Sequence, residues 1–228
     1  MPKSFSFIKI KSIIYLSLIL GFLLVFFFPQ HLAFTFREIG FFLGNFGRFK
    51  EARLMLYISK ILYPKDAKTY YLLGTSFVMS GDVENALIEL KKAIEIDNTL
   101  APAYNNLGFC YLKLNQPREA IKYFNKAIEH DKKILQSYYG LGRAYKMLKQ
   151  YDLALKKINE GLKIDPTSDY LLVLKSSILV IHFNDIQKAQ DLCLKALKFH
   201  PNSEYAKRWL QYIQYIKKTN LHNNKILR

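Results

Sequence analysis

The chain has 228 residues, half of them apolar, and is therefore long enough to bury one substantial core. Lys and Arg number 34 against 18 Asp and Glu, a net charge of +16, and 27 of these cations are Lys, which favours point-charge attraction over the bidentate phosphate recognition typical of Arg. The two cysteines, Cys110 and Cys193, lie far apart without C-x-x-C spacing, which argues against a disulfide framework or a cysteine zinc site.

A basic segment, residues 1–12, is followed by an uncharged apolar stretch, residues 13–28. As a helix this stretch is about 24 Å long against a hydrocarbon core of about 30 Å, and Lys9 and Lys11 can extend it by snorkelling to the headgroups. We predict an uncleaved transmembrane anchor. The alternatives are a buried soluble helix and a cleaved signal peptide. Cleavage requires small residues just before the cut, and only Ala33 supplies one there.

The charges beside the anchor predict its orientation. Lys3, Lys9 and Lys11 precede the apolar stretch together with the amino terminus, whereas Arg37 and Arg48 are the only cations in the next twenty residues. This bias puts the N-terminus in the cytoplasm. The rest of the chain is then expected on the opposite side, in a periplasmic or extracytoplasmic space.

Beyond the anchor, a pattern of large and small residues repeats every 34 residues. Each copy has a large aromatic residue, an aliphatic residue followed by Gly, an Ala, and a second large apolar residue. Four copies keep this phase without a break, which indicates a repeat architecture. The positions are Phe36, Ile39, Gly40, Ala52 and Leu56; Tyr70, Leu73, Gly74, Ala86 and Leu90; Tyr104, Leu107, Gly108, Ala120 and Phe124; and Tyr138, Leu141, Gly142, Ala154 and Ile158.

This spacing resembles the tetratricopeptide repeat from about Ala33 to Ser203. Tyr or Phe replaces the family's first Trp, and Asn98 and Lys132 replace the closing Pro in two copies. A fifth copy has Ser176 in place of Gly and needs one inserted residue near "HFND". The resemblance implies an all-α fold, a right-handed superhelical α-solenoid of helix pairs, preceded here by one N-terminal transmembrane helix. Five repeats are expected, at 33–66, 67–100, 101–134, 135–168 and 169–203, with the first and last divergent.

The small residues are expected to mark close helix crossings. A larger side chain at Gly108 or Ala120 would push the paired helices apart. Because no pair buries its apolar face alone, stacked neighbours form one continuous core, and the last repeat needs a cap. We predict a capping helix at 204–218, with Trp209 packed on the fifth repeat, followed by a frayed tail at 219–228.

No pattern typical of an enzyme or a metal protein occurs in the sequence. There is no H-E-x-x-H, Gly-x-Ser-x-Gly, phosphate-binding Gly loop or EF-hand loop. Cys193 and His200 could be suggested as a nucleophile and its base, but both match structural positions of the repeat. We therefore predict a protein that is not an enzyme, with no catalytic residues, no cofactor and no metal ligands.

In proteins with such repeats, the first helix of each pair lines a concave surface, so its exposed positions form a groove. Tyr and Phe offer rigid contact area, Asn can bond an extended peptide, and the cations favour acidic groups. Some of these side chains could instead pack against neighbouring helices. The predicted partner-binding positions are Lys68, Tyr71, Thr75, Asn105, Asn106, Phe109, Lys113, Gln136, Tyr139, Arg143 and Lys146.

Chaperone-binding members of the family hold a C-terminal carboxylate in a clamp. The clamp has Lys and Asn on one first helix, Asn on the next, and Lys and Arg on the third. The matching positions here are Tyr71, Thr75, Asn106, Gln136 and Gly140, of which only Asn106 fits. Recognition of a chaperone C-terminus by that clamp is therefore not expected.

The sequence favours a membrane-anchored scaffold that binds a peptide or protein partner in the groove during assembly of an envelope complex. One alternative is a docking receptor that faces the cytoplasm. Another class is a basic module that binds nucleic acid or anionic lipid. Lipid headgroups would attract such a domain by about 1 kcal/mol per well-placed Lys, whereas no base-stacking platform for nucleic acid is identifiable.

Overall fold

The computed structural model describes Gly21 and residues 28–226, with side chains described to residue 219. This part of the chain contains eleven α-helices, which we number α1 to α11. They are α1 (Pro29–Asn45), α2 (Phe49–Leu62), α3 (Ala67–Ser80), α4 (Val83–Ile96), α5 (Ala101–Lys113), α6 (Pro117–His130), α7 (Leu135–Met147), α8 (Tyr151–Ile164), α9 (Asp169–Ile181), α10 (Ile186–Phe199) and α11 (Glu204–Ile226).

The chain divides into two compact units, Met1–Asn98 and Thr99–Arg228. In the first unit, α1 pairs with α2 and α3 pairs with α4, while α2 also packs against α3. In the second unit the pairs are α5 with α6, α7 with α8 and α9 with α10, and α11 packs against α9 and α10. The predicted helix pairs of an all-α repeat fold are thereby confirmed.

Local sequence sets where several helices begin. Asp66, Asp82 and Asp185 each precede a helix, and their carboxylates accept a hydrogen bond from a backbone N–H of the first turn at 3.1–3.2 Å. An acidic side chain at this position satisfies an orphan donor and complements the helix dipole. Pro117 stands in the first turn of α6, where its missing N–H costs nothing.

Each hairpin turn contains one residue in the left-handed backbone region. These residues are Gly47, Gly81, Asn115, Lys149 and Asn184, with φ between 52° and 85°. They recur every 34 residues until the last, which comes after 35, so the inserted residue of the fifth repeat lies at or before this turn. Gly and Asn tolerate positive φ, whereas Lys149 has no such advantage.

The shortest glycine contacts in the second unit are with Phe124, which is fully buried on α6. A Cβ added at Gly108 of α5 would lie 2.6 Å from Cε1 of this ring, and one added at Gly140 of α7 would lie 2.2 Å from its Cζ. Both distances are far below van der Waals contact. The ring therefore fills a space that glycines on two helices leave open, and Gly140 has the same structural role as the predicted Gly108.

In the fifth repeat, Ser176 occupies the position at which the earlier repeats have Gly at the helix crossing. Its hydroxyl takes part in three hydrogen bonds. The Ser176 Oγ donates to the backbone oxygen of Ala189 at 2.9 Å and accepts from Trp209 Nε1 at 3.0 Å and from Cys193 Sγ at 3.3 Å. Trp209 thus packs on the fifth repeat, as predicted. Its helix α11 runs to Ile226, beyond the predicted end at Lys218, because no Gly or Pro interrupts the intervening sequence.

The predicted transmembrane anchor, residues 13–28, lies outside the described residues except for Gly21 and Phe28. Among the residues that are described, no helix has both the length and the apolar character needed to cross a membrane.

Candidate functional site

The first unit contains an open cavity of about 420 Å³ beside α1, α2 and α3. Among the predicted partner-binding positions, Tyr71 and Thr75 line it, and Thr75 Oγ1 donates to the backbone oxygen of Tyr71 at 2.8 Å. Lys68 is not part of the lining and lies 3.5 Å from the Glu38 carboxylate. The remaining lining residues are mostly apolar. They are Gly40, Phe41, Gly44, Asn45, Phe49, Ala52, Leu56, Leu72, Ser76 and Met79.

The partner-binding positions predicted from the sequence did not include any residue of the first repeat, although several of its residues line this cavity. Phe41 lies one period before Thr75 and is 45% exposed, so the 34-residue phase contained the signal that could have found it. Phe49 belongs to the second helix of its pair, α2, and no rule about first helices would have selected it.

The second unit contains a cavity of about 330 Å³ beside α7, α9 and α11. Three predicted positions, Tyr139, Arg143 and Lys146, line it together. The Arg143 guanidinium carbon lies 5.7 Å from the centroid of the Tyr139 ring, and Lys146 Nζ donates to Ser177 Oγ at 2.8 Å. The lining is completed by Met147 of the same first helix and by Leu174 and Tyr205, the last two of which sequence analysis did not assign to the site.

The electrostatics of this second cavity are those of a positive and partly desolvated site. Burial lowers the pKa of Lys146, and the neighbouring Arg143 lowers it further. Burial also raises the pKa of Tyr205 to about 12, with a contribution from the nearby Tyr139 hydroxyl, so the Tyr205 phenol is neutral at pH 7. No carboxylate is among the residues that line the cavity.

The other predicted positions of the second unit have different environments. Asn105 is only 7% exposed; its Oδ1 accepts from Ser137 Oγ at 2.9 Å, and its Nδ2 donates to Asn106 Oδ1 at 3.3 Å. Phe109 packs edge-on against the Phe124 ring at 5.0 Å. Lys113 and Gln136 are exposed, and none of these five predicted positions lines the 330 Å³ cavity.

The described residues offer little that could support catalysis. They contain no group of three or more His, Cys, Asp or Glu side chains placed to hold a metal ion. Cys110 and Cys193 are both buried and free. Burial raises the pKa of the Cys110 thiol to about 11 and raises that of Cys193 as well, which disfavours the thiolate that a nucleophilic cysteine requires.

Comparison with known sequences identifies the repeat. Two profiles described as tetratricopeptide repeat match residues 101–133 and 136–168, and one described as TPR repeat matches residues 74–115. No curated protein sequence matches the chain.

Several solved structures share the fold of this chain. TTC0263, a thermophilic TPR protein of Thermus thermophilus, is 17% identical over 80% of this chain and 99% of its own, with a TM-score of 0.68. The protein pilF of Pseudomonas aeruginosa is 14% identical over 87% of this chain and 98% of its own, also with a TM-score of 0.68.

YrrB, described as a TPR protein with an unusual peptide-binding site, is 19% identical over 76% of this chain and 89% of its own, with a TM-score of 0.58. Identities this low establish the fold alone. The three profile matches and the 34-residue phase together show that residues 74–168 contain tetratricopeptide repeats, and the shared fold is consistent with this result.

Proposed function

We propose that this chain is a protein-interaction scaffold that binds a peptide or protein partner on the first helices of its repeats. The observation that carries the proposal is that one open cavity in each unit is lined largely by first helices, by α1 and α3 in the first unit and by α7 and α9 in the second. Two further cavities of the second unit, of about 400 and 320 Å³, lie beside α8. Tetratricopeptide-repeat proteins with peptide-binding sites are generally interaction scaffolds.

The composition of the two cavities supports such a role. Binding sites are usually apolar clefts of about 300–1,000 Å³ with a few placed polar groups. Both cavities lie in this range of volume; the first is mainly apolar, whereas the second is lined by polar and apolar side chains together. Tyr71 in the first unit and Tyr139 in the second add rigid aromatic contact area, which costs little conformational entropy on binding. The first cavity would accept apolar side chains of the partner, whereas the second adds two cations.

We further propose that residues 13–28 anchor the scaffold in a membrane and that the repeats act in assembly of an envelope complex. The support is the uncharged sixteen-residue apolar stretch and the basic residues before it, which favour a cytoplasmic N-terminus. If the orientation is reversed, the same repeats would form a docking receptor facing the cytoplasm.

Site-specific photo-crosslinking in cells tests the binding surface. A photoreactive phenylalanine analogue would replace Tyr71 or Tyr139, one residue in each cavity. Matched controls would carry it at Lys122 on α6 or Lys195 on α10, which are exposed on second helices and line neither cavity. We expect a protein adduct of defined mass from a cavity position and not from the control positions.

The crosslinking result discriminates between classes of partner. Identical protein adducts from cavity and control positions would contradict a binding surface on the first helices. Adducts formed only with lipid or nucleic acid would instead favour the basic-module alternative, which the net charge of +16 makes chemically reasonable.

A further inference from the structure

We propose that the cavity beside α7, α9 and α11 is a carboxylate-binding site, formed by Arg143 and Lys146 with the hydroxyls of Tyr139 and Tyr205, and that the partner is an acidic peptide segment. This inference rests on the proposed function and specifies the chemistry of the partner. It concerns the second unit alone and makes no use of the first cavity.

Among the described residues, the two cations of this site have no negative partner. Some lysines on the second helices of the same unit do pair with a Glu three residues away, as Lys122 does with Glu119 at 2.7 Å and Lys157 with Glu160 at 2.8 Å. Helix α7 contains no acidic residue at all. Within the part of the chain that the structure describes, Arg143 and its neighbour on α7 form no ion pair.

An unpaired, partly desolvated cation is unfavourable in the free protein, and an incoming anion relieves that cost. Lys146 is half-buried and makes one hydrogen bond, to Ser177 Oγ, which leaves two ammonium protons for a ligand. The lowered pKa of Lys146 follows from this burial and from the adjacent guanidinium. Binding of a carboxylate is therefore expected to raise the pKa of Lys146 again.

The shape and polarity of the cavity favour a carboxylate on an apolar stem. The Arg143 guanidinium can present two parallel N–H donors, which matches the two oxygens of a carboxylate. Leu174, which is almost fully buried, and Met147 supply an apolar wall beside the charges, against which the methylene groups of a Glu side chain can pack.

A row of aromatic rings extends from the same cavity and suits residues that flank the acidic one. The Tyr139 ring lies 6.5 Å from Phe109 and 5.3 Å edge-on from Tyr170, measured between ring centroids. Such rings offer apolar contact area to a peptide lying across α5, α7 and α9. The site thus combines one charged anchor point with an adjacent aromatic surface.

This site differs in position from the chaperone-binding clamp. On α7 the clamp positions correspond to Gln136 and Gly140, which carry no charge. Arg143 and Lys146 lie further along the same helix, and Tyr205 comes from the capping helix α11 rather than from a repeat. The carboxylate site is consequently a feature of this chain and of its C-terminal cap.

The test begins with peptides selected from a random 12-residue display library on the full chain in detergent micelles. A selected peptide is then synthesised with a fluorophore, in parallel with the version in which its Glu or Asp is replaced by Gln or Asn. A C-terminally amidated version distinguishes a side-chain carboxylate from a terminal one. Fluorescence anisotropy gives the dissociation constant of each peptide.

Binding is compared between the wild type, the double variant Arg143→Gln/Lys146→Gln, and the control Lys195→Gln/Lys198→Gln. The control removes the same charge from exposed positions on α10 that do not line the cavity. We expect the selected peptides to be enriched in Asp and Glu. We also expect about a tenfold or greater loss of affinity in the α7 variant, the size typical of a lost charge-assisted contact, and less than about twofold in the control.

A double-mutant cycle identifies the contact directly. Replacing the acidic residue of the peptide should weaken binding to the wild type by about tenfold, but it should have little effect on binding to Arg143→Gln/Lys146→Gln. The same cycle is measured with the single variant Arg143→Gln. Because the Arg143 side chain is exposed, this substitution leaves the core intact. Circular dichroism confirms that each variant remains helical.

The outcomes separate the inference from the proposed function. If peptides bind and Tyr139→Ala abolishes binding, but they are not acidic and tolerate Arg143→Gln/Lys146→Gln, the carboxylate site is wrong and the scaffold function stands. Binding that is more than about tenfold tighter for a phosphoserine peptide would assign the site to phosphate instead. If no peptide binds in a way that Tyr139→Ala abolishes, the carboxylate site is contradicted. The scaffold function is contradicted as well only if Tyr71→Ala, in the first cavity, also leaves peptide binding unchanged.

Discussion

Phe124 shows how far one side chain can constrain its neighbours. Its ring fills the space above Gly108 and Gly140, and no other residue type fits at Gly140 without displacing the ring. We expect Gly140→Ala to lower the free energy of unfolding by about 1–3 kcal/mol through overpacking. The measurement is urea denaturation followed by circular dichroism.

The partner variant Phe124→Leu makes the mechanism testable. In that background the added methyl group has room, so Gly140→Ala should cost much less than in the wild type, and the two substitutions should be non-additive. Gly44→Ala is the matched control, because its added Cβ would meet only Ala52 Cβ, at 4.0 Å. Equal costs of Gly140→Ala in both backgrounds would show that the steric argument is wrong.

The sequence predicted Gly108 but not Gly140, and the reason is physical. Gly108 occupies a position that is Gly in all four repeats that keep the 34-residue phase. Gly at position 140 is instead required by the size of the Phe124 ring against which it packs. In other repeats the corresponding pairs are Leu56 with Leu72 in one buried cluster and Ile158 with Leu174 in another. A repeat pattern specifies each position separately and does not reveal that two positions must share a fixed volume.

The candidate site was likewise only partly predictable. Tyr139, Arg143 and Lys146, which were selected by the repeat phase, line one cavity in the structure. Tyr205 was missed because it follows the insertion in the fifth repeat and belongs to the cap, where the phase no longer applies. The amide of Asn105 was selected by the same phase, yet its side chain is engaged by Ser137.

At the level of helices, an ion pair joins α2 to α4 in the first unit. Lys60 Nζ donates to both carboxylate oxygens of Glu89, at 2.8 and 2.9 Å, and Glu89 is only 6% exposed. The ammonium also lies 4.9 Å from the centroid of the Tyr70 ring on α3. Because Glu89 is buried, the pair affects stability mainly when one partner is removed and the other charge is left buried without a counter-charge.

Removing one partner of this pair should therefore be costly. We expect Lys60→Met to lower the free energy of unfolding by about 2–3 kcal/mol, because Glu89 is left buried without a counter-charge. The double variant Lys60→Met/Glu89→Met should recover at least half of that loss. Chemical denaturation monitored by circular dichroism measures both changes.

An exposed ion pair provides the comparison. Lys92 and Glu95 are three residues apart on α4 at 3.0 Å, with both side chains at least half exposed. Lys92→Met should have little effect, because solvent screens such pairs. Equal effects of Lys60→Met and Lys92→Met would contradict the assignment of the first pair as an inter-helix contact.

For the molecule as a whole, the proposed anchor predicts where the protein is found in a fractionated cell. We expect the full chain to remain in the membrane pellet after an alkaline carbonate wash and a chain lacking residues 1–27 to be soluble. Leu20→Arg/Leu24→Arg should also release it, since each central Arg costs about 2.5–3.5 kcal/mol on insertion. Leu20→Ile/Leu24→Ile is the apolar control and should stay in the pellet.

Protease protection of a C-terminal tag then reports the orientation. A tag that resists protease added to inverted membrane vesicles would place the repeats on the extracytoplasmic side, as the basic residues before the anchor predict. Digestion of the tag would support the docking-receptor alternative. Release of the full chain by carbonate would contradict the anchor itself.

The packing of the Phe124 ring against Gly108 and Gly140 has a consequence for how this chain could evolve. In a repeat protein each repeat contacts only its neighbours, so a whole repeat could in principle be lost or duplicated without rebuilding the rest. Here, loss of residues 135–168 would bring Leu174 into the place of Gly140, directly against the Phe124 ring. The third repeat can thus be inherited or transplanted only together with the first helix of the fourth. The smallest exchangeable module at this point of the chain is one and a half repeats.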